Sequence, residues 1–232
     1  MSTILRTWSY QYQWLYDSIS RLAALAVGGE DRFRRLPLAG LTLPRSSSVL
    51  DLCCGCGQST AYLVQDFESV TGLDASPRSL ERARRNVPQA TYVQGFAEEM
   101  PFEDGQFDLV YTSAALHEMG SDRLREIVQE VERVLKPGGF LVLVDLHRPH
   151  QPLFWPGLLV FLWLFETETA WDFIQTDLAK QLTTIASFQI HRQIYPAGGS
   201  LQVIQAIRMN PALKSQIDRD AHYRNRRKTH WL

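Results

Sequence analysis

The 232-residue chain predicts an α/β fold: a doubly wound, mainly parallel seven-stranded sheet with helices on both faces and an antiparallel edge hairpin. Three observations carry that expectation. Strand-like apolar runs alternate with helix-length segments from residue 46 onward, the pattern of βαβ crossovers. The fifth run, Phe140-Leu141-Val142-Leu143-Val144, is apolar without alternation, as a strand covered on both faces has to be. The last two strand candidates, 188–195 and 201–208, are joined by Pro196-Ala197-Gly198-Gly199, a connection short enough for antiparallel neighbours.

The elements follow in order. Trp8, Tyr12, Leu15, Ile19 and Leu22 recur in steps of four and three, tracing one face of an amphipathic helix over 8–27. Gly28-Gly29 ends it, and a basic stretch (Arg32, Arg34, Arg35) leads toward the sheet. Strands are predicted at 48–53, 69–73, 90–94, 107–111 and 140–146, and a helix at 58–65. Ser76-Pro77 opens a helix running to Asn86, with serine as N-cap and proline at the first helical position. A helix over 121–135, N-capped by Ser121, is stopped by Lys136-Pro137-Gly138-Gly139. Residues 153–165 are intensely apolar, and 171–184 read as one further helix. No internal repeat or low-complexity linker interrupts 46–208. The expected organisation is therefore an N-terminal helical cap (1–45), one domain (46–210) with an apolar insert at 150–184, and a basic tail (211–232).

Composition narrows the class. Hydrophobic residues make up 45% and aromatic residues 11%, enough for a sizeable core. A net charge of −1 gives the whole chain no nucleic-acid footprint. The three cysteines, Cys53, Cys54 and Cys56, are too close in sequence to staple a fold, which points to a reducing compartment. Zinc needs about four well-spaced ligands, so the cysteines read as small apolar residues at a strand end and no metal is expected. The N-terminus lacks the continuous apolar core of a signal peptide, and no run reaches the ~20 residues of a membrane-spanning helix. A soluble, cytoplasmic protein is expected. Peripheral membrane contact is left to 153–165 and to Arg219, Arg224, Arg226, Arg227 and Lys228 of the tail.

The chemistry is expected where the first strand ends, because ligands of doubly wound sheets sit outside the carboxyl ends of the strands. Gly55 and Gly57 allow a tight turn and close approach of a ligand to the backbone. About twenty residues on, Asp74 ends the second strand, placed to accept hydrogen bonds from two ribose hydroxyls. A nicotinamide cofactor is disfavoured because the third position of its glycine fingerprint is Thr60. The motifs VLDLCCGCG (49–57), GLDAS (72–76), EMPFEDGQFDLV (99–110), YTSAALHEM (111–119) and KPGGFLVLV (136–144) together resemble the class I S-adenosylmethionine-dependent methyltransferases. LDLCCG, with Tyr16-Asp17 ahead of it, is similar to the ubiquinone and menaquinone biosynthesis C-methyltransferase branch.

That resemblance implies S-adenosylmethionine as methyl donor, leaving S-adenosylhomocysteine. It places Asp51, Cys53, Gly55 and Gly57 around the methionine portion, Asp74 and Ala75 at the ribose, Phe96 and Ala97 beside the adenine, and Ser113 with Ala114 beneath the sulfonium. Tyr12 and Tyr16 of the N-terminal helix would close over it. Cys53 stands where the family often has glycine, a small change, and Phe96 replaces a common acidic residue. His117, after the fourth strand, is the candidate general base, while Asp145 and His147, after the fifth, are expected at the same mouth. The acceptor implied is small and apolar, such as a quinol precursor, under a lid formed by 153–165. The rival reading is a non-catalytic protein that binds S-adenosylmethionine and regulates.

Overall fold

The computed structural model describes residues 24–210. Tyr12, Tyr16, most of the expected N-terminal helix and the basic tail lie outside the described residues. Where the description begins, the Gly29 amide donates to Ala24 O (2.9 Å) and the Gly28 amide to Leu25 O (3.1 Å). With Gly28 at φ +96°, this is the glycine-terminated end expected of a helix.

The order of elements is α1 (Glu30–Arg35), β1 (Ser48–Leu52), α2 (Thr60–Asp66), β2 (Ser69–Asp74), α3 (Pro77–Asn86), β3 (Thr91–Gln94), β4 (Phe107–Ser113), α4 (Ser121–Val134), β5 (Leu135–Leu146), α5 (Trp155–Phe165), α6 (Glu168–Phe173), α7 (Leu178–Ile185), β6 (Phe188–Ile194) and β7 (Leu201–Arg208). The seven strands form one sheet in the order β3-β2-β1-β4-β5-β7-β6. The first five pair in parallel. β7 pairs antiparallel with both β5 and β6, which puts the hairpin at the edge. Strand order reverses between β1 and β4, and the site expected of such a sheet lies at that crevice.

Side-chain alternation sorts the core onto two faces. Leu50, Leu52, Val110, Leu141 and Leu143 pack with Leu124, Ile127 and Val131 of α4 and with Leu178 and Leu182 of α7. Val49, Val70, Leu109 and Val142 instead meet Leu63 of α2 and Phe67 just after it. Full burial of one such side chain contributes about 1.5–3 kcal/mol. Both faces are therefore dry, which is why β5 could dispense with polar alternation.

Local chemistry explains most boundaries. Ser76 Oγ accepts the Ser79 amide (3.2 Å) and Pro77 is the first helical residue of α3. Three expectations are corrected. Ser121 is itself the first helical residue of α4; Gly120 is the N-cap and no side chain caps the helix. Lys136-Pro137-Gly138-Gly139 lies inside β5 as an irregularity, since Phe107 pairs with Leu135 and Leu109 with Phe140. Gly139 is needed there because a Cβ would stand 2.9 Å from Lys136 O and 3.0 Å from Asp108 O. The single helix expected over 171–184 is two, α6 and α7. Asp177 caps the second by accepting the Lys180 amide at 3.0 Å, a local bond that competes with helix continuation.

The apolar segment 153–165 is half core, half surface. Leu158 and Leu162 of α5 pack with Leu146, Ala170 and Ile174, whereas Leu153, Leu159, Val160 and Trp163 are exposed. Among the described residues no helix is long and apolar enough to cross a membrane.

Candidate active site

β1 ends in a turn that the glycines make possible. Gly55 (φ +55°) and Gly57 (φ +86°) hold left-handed backbone, and so does Cys53 at φ +58°. Left-handed backbone costs a residue with a Cβ about 1–2 kcal/mol. The exchange of glycine for Cys53 is thus not the small change its side chain implies. Ala114, on the neighbouring strand end, is likewise left-handed at φ +52°. Strain of this kind collects where a ligand is gripped, and Cys53 and Ala114 line the same narrow cavity with Asp51, Gly55, Ser113 and Arg34.

Asp51 is buried beneath that turn and accepts Thr60 Oγ1–H at 2.6 Å. Burial pushes its pKa up to about 7, against the opposing pull of the Thr60 hydroxyl and the Arg34 charge. Asp74 closes the turn from the next strand: its Oδ2 accepts the Gly55 amide (2.9 Å) and its Oδ1 the Ser76 amide (2.8 Å). Each carboxylate oxygen keeps a lone pair for a ligand hydroxyl. Ala75 follows it, its carbonyl accepting from Gln94 Nε2 at 3.3 Å. Gly72 makes room for the turn, because a Cβ there would lie 2.8 Å from Cys54 Sγ and 2.9 Å from the Tyr92 ring. Burial, reinforced by the Asp51 and Asp74 charges, raises the Cys53 and Cys54 pKa values, so both thiols stay protonated.

Arg34 is the residue that sequence reasoning missed. It was part of a basic stretch, yet only 5% of it is exposed. From α1 it reaches the cavity, donating through Nη1 to Ser59 Oγ (3.0 Å) and Ser113 Oγ (3.2 Å) and through Nη2 to Gln58 Oε1 (2.7 Å). Nothing local distinguishes it from Arg32 or Arg35; only the docking of α1 on the sheet does. A buried guanidinium beside a buried carboxylate matches a zwitterionic amino-acid group, whose carboxylate and ammonium ask for opposite charges a few ångströms apart.

The adenine-side expectations divide. Phe96 is 61% exposed, so its ring is open to stack, but Ala97 is buried in the core and offers only backbone. The expectations for β5 need correction. Asp145 is not an open carboxylate at the mouth: it is 2% exposed. Its oxygens accept from the Ala115 (3.2 Å), Leu116 (2.8 Å) and Leu146 (2.7 Å) amides and from His117 Nδ1 (2.5 Å). His147 lies apart from His117, donating to Gly199 O (2.9 Å) and packing against His150 and Tyr195 beside a cavity of about 750 Å³. His117 is also buried, with Nε2 3.4 Å from Glu166 Oε1 at the end of α5. Burial alone would lower its pKa, but Asp145 and Glu166 outweigh this and raise it well above the ordinary value. Both ring nitrogens face carboxylates, so the imidazole is not poised as a free base.

Comparison with known proteins agrees with this geometry. Residues 49–139 match a family described as a methyltransferase domain. An uncharacterized methyltransferase of Synechocystis sp. is 61% identical over 206 residues, covering 89% of this chain and 97% of that protein. A demethylmenaquinone methyltransferase of Lactiplantibacillus plantarum is 34% identical over 159 residues, covering 65% of this chain and 64% of that one. Among solved structures, an S-adenosylmethionine-dependent methyltransferase of Mesorhizobium loti superposes with a TM-score of 0.59 at 22% identity, over 78% of this chain and all of that one, and so shares the fold. The chain belongs to the class I S-adenosylmethionine-dependent methyltransferases. Its cofactor is S-adenosylmethionine.

Proposed function

We propose that the crevice between β1 and β4 holds S-adenosylmethionine and that the acceptor is a small apolar molecule such as a quinol precursor. The observation that carries the first part is the pairing of buried Arg34 with buried Asp51 in the cavity under the glycine turn. In this reading Arg34 takes the methionine carboxylate and Asp51 the ammonium, across the turn of Cys53, Gly55 and Gly57. Asp74 receives the ribose hydroxyls beside Ala75, Phe96 covers the adenine, and Ser113 and Ala114 lie beneath the sulfonium. The bound cofactor supplies an electrophilic methyl with its own leaving group, so the protein contributes alignment and exclusion of water. Tyr16 closes the site from the N-terminal cap (1–45) of the 46–210 domain, and residues 150–184 form the acceptor side.

Support for an apolar acceptor comes from α5, whose exposed Leu159, Val160 and Trp163 adjoin Glu166 and hence the His117 loop. The demethylmenaquinone methyltransferase relative supports the quinol class. The same exposed face is where contact with a lipid surface is expected. Calorimetry with S-adenosylmethionine tests the first part: Asp74→Asn, which keeps an acceptor for the Gly55 amide, should weaken binding at least tenfold. Undiminished binding would move the ribose elsewhere. Transfer of labelled methyl into a lipid extract tests the second part. An exclusively polar labelled product would reject the apolar acceptor.

A further inference from the structure

The sequence led to an expectation of no metal, but the loop after β4 and the end of α5 converge on a donor set. Ligand atoms of His117, Glu118 and Glu166 lie within 4.8 Å of one another. Two further observations make this more than an acidic cluster. The Glu166 side chain is 8% exposed, and its second oxygen, Oε2, is buried with no hydrogen-bond partner. An orphaned carboxylate oxygen inside a protein is costly. In addition, Asp145 holds His117 Nδ1 at 2.5 Å, fixing the tautomer in which Nε2 faces the two glutamates. A carboxylate behind the distal nitrogen is the usual support of a metal-bound histidine.

We propose that His117 Nε2, Glu118 and Glu166 bind a divalent transition cation of the zinc class, with Asp145 orienting the imidazole. The separation of His117 Nε2 from Glu166 Oε1, 3.4 Å, equals the edge of a tetrahedron with bonds of about 2.1 Å. A modest side-chain adjustment closes the rest of the set. Three carboxylates around one imidazole suit a doubly charged ion, and a nitrogen with two oxygens favours zinc over calcium or magnesium. The thiols of Cys53 and Cys54 are not competing ligands while they stay protonated. Three protein ligands leave a fourth position for water or an acceptor oxygen. Only that last role rests on the methyl-transfer reading; metal uptake does not.

The test uses the full chain, freed of metal with a chelator and dialysed against micromolar zinc alone, then manganese alone. One equivalent of zinc per chain is expected, and no stoichiometric zinc would overturn the proposal. Glu166→Gln and Glu118→Gln should each weaken zinc binding at least tenfold, and Asp145→Asn by about 10–100-fold. X-ray absorption of the zinc-loaded wild type needs no variant to fold. It should show one imidazole, oxygen ligands and no sulfur. Sulfur, or two imidazoles, would place the metal at the cysteine turn or at His147 and His150, and refute this site. Loss of methyl transfer without loss of zinc would count against the activity reading alone.

Discussion

Asp51 offers the sharpest physical test, because its ionisation is coupled to folding. In the cofactor-free protein its pKa is pushed from 3.8 to about 7, so the folded state favours the protonated form. The stability this contributes is fully present below the unfolded pKa. It is lost as pH rises through about 7, and the loss is complete above it. A difference of about three pH units at about 1.4 kcal/mol each is about 4 kcal/mol. Asp51→Asn keeps an oxygen to accept from Thr60 but cannot ionise. Urea unfolding of the two proteins across pH 4 to pH 8, with the midpoints compared, should show the variant gaining on the wild type as pH rises. The gain should reach about 4 kcal/mol and level off above about pH 7. Other titrating groups cancel in the difference. If the two curves stayed parallel, Asp51 would be solvated or already paired, and its place in a dry cavity would be wrong.

Three other outcomes follow from the same geometry. Arg34→Met should weaken S-adenosylmethionine binding by about 10–100-fold, since charge-assisted bonds of about 1.5–3 kcal/mol are lost; calorimetry reads this directly. Gly72→Ala should destabilise by about 1–3 kcal/mol through the clash with Cys54 Sγ and Tyr92, seen as a lower unfolding midpoint at unchanged slope. Within α5, Leu162→Ala should cost about 2–5 kcal/mol, while Trp163→Ala should leave stability within about 0.5 kcal/mol. Equal costs would mean that α5 is packed the other way round.

The extent of what was readable depends on whether a feature is local. Ser76-Pro77 predicted the start of α3 because a cap and a fixed φ act over one turn. The apolar run of β5 predicted a central strand because burial on both faces leaves no polar alternation. The glycine turn and Asp74 were legible together, since a βαβ unit of fixed length brings both strand ends to one crevice. Boundaries were less legible where two local signals compete: Asp177 split one expected helix, and pairing with β4 drew Lys136 to Gly139 into β5.

By itself, then, the sequence determined the sheet and the cofactor crevice, because periodicity, capping and glycine turns are set by residues a few positions apart. Tertiary structure alone decided which charges are buried. Arg34 became part of the cavity when α1 docked on the sheet. Asp145 became a brace for His117 when β5 was covered, and Glu166 met the His117 imidazole only because α5 returns across the strand ends. Burial and charge pairing are properties of surfaces brought together from distant parts of the chain, and spacing along the chain does not encode them.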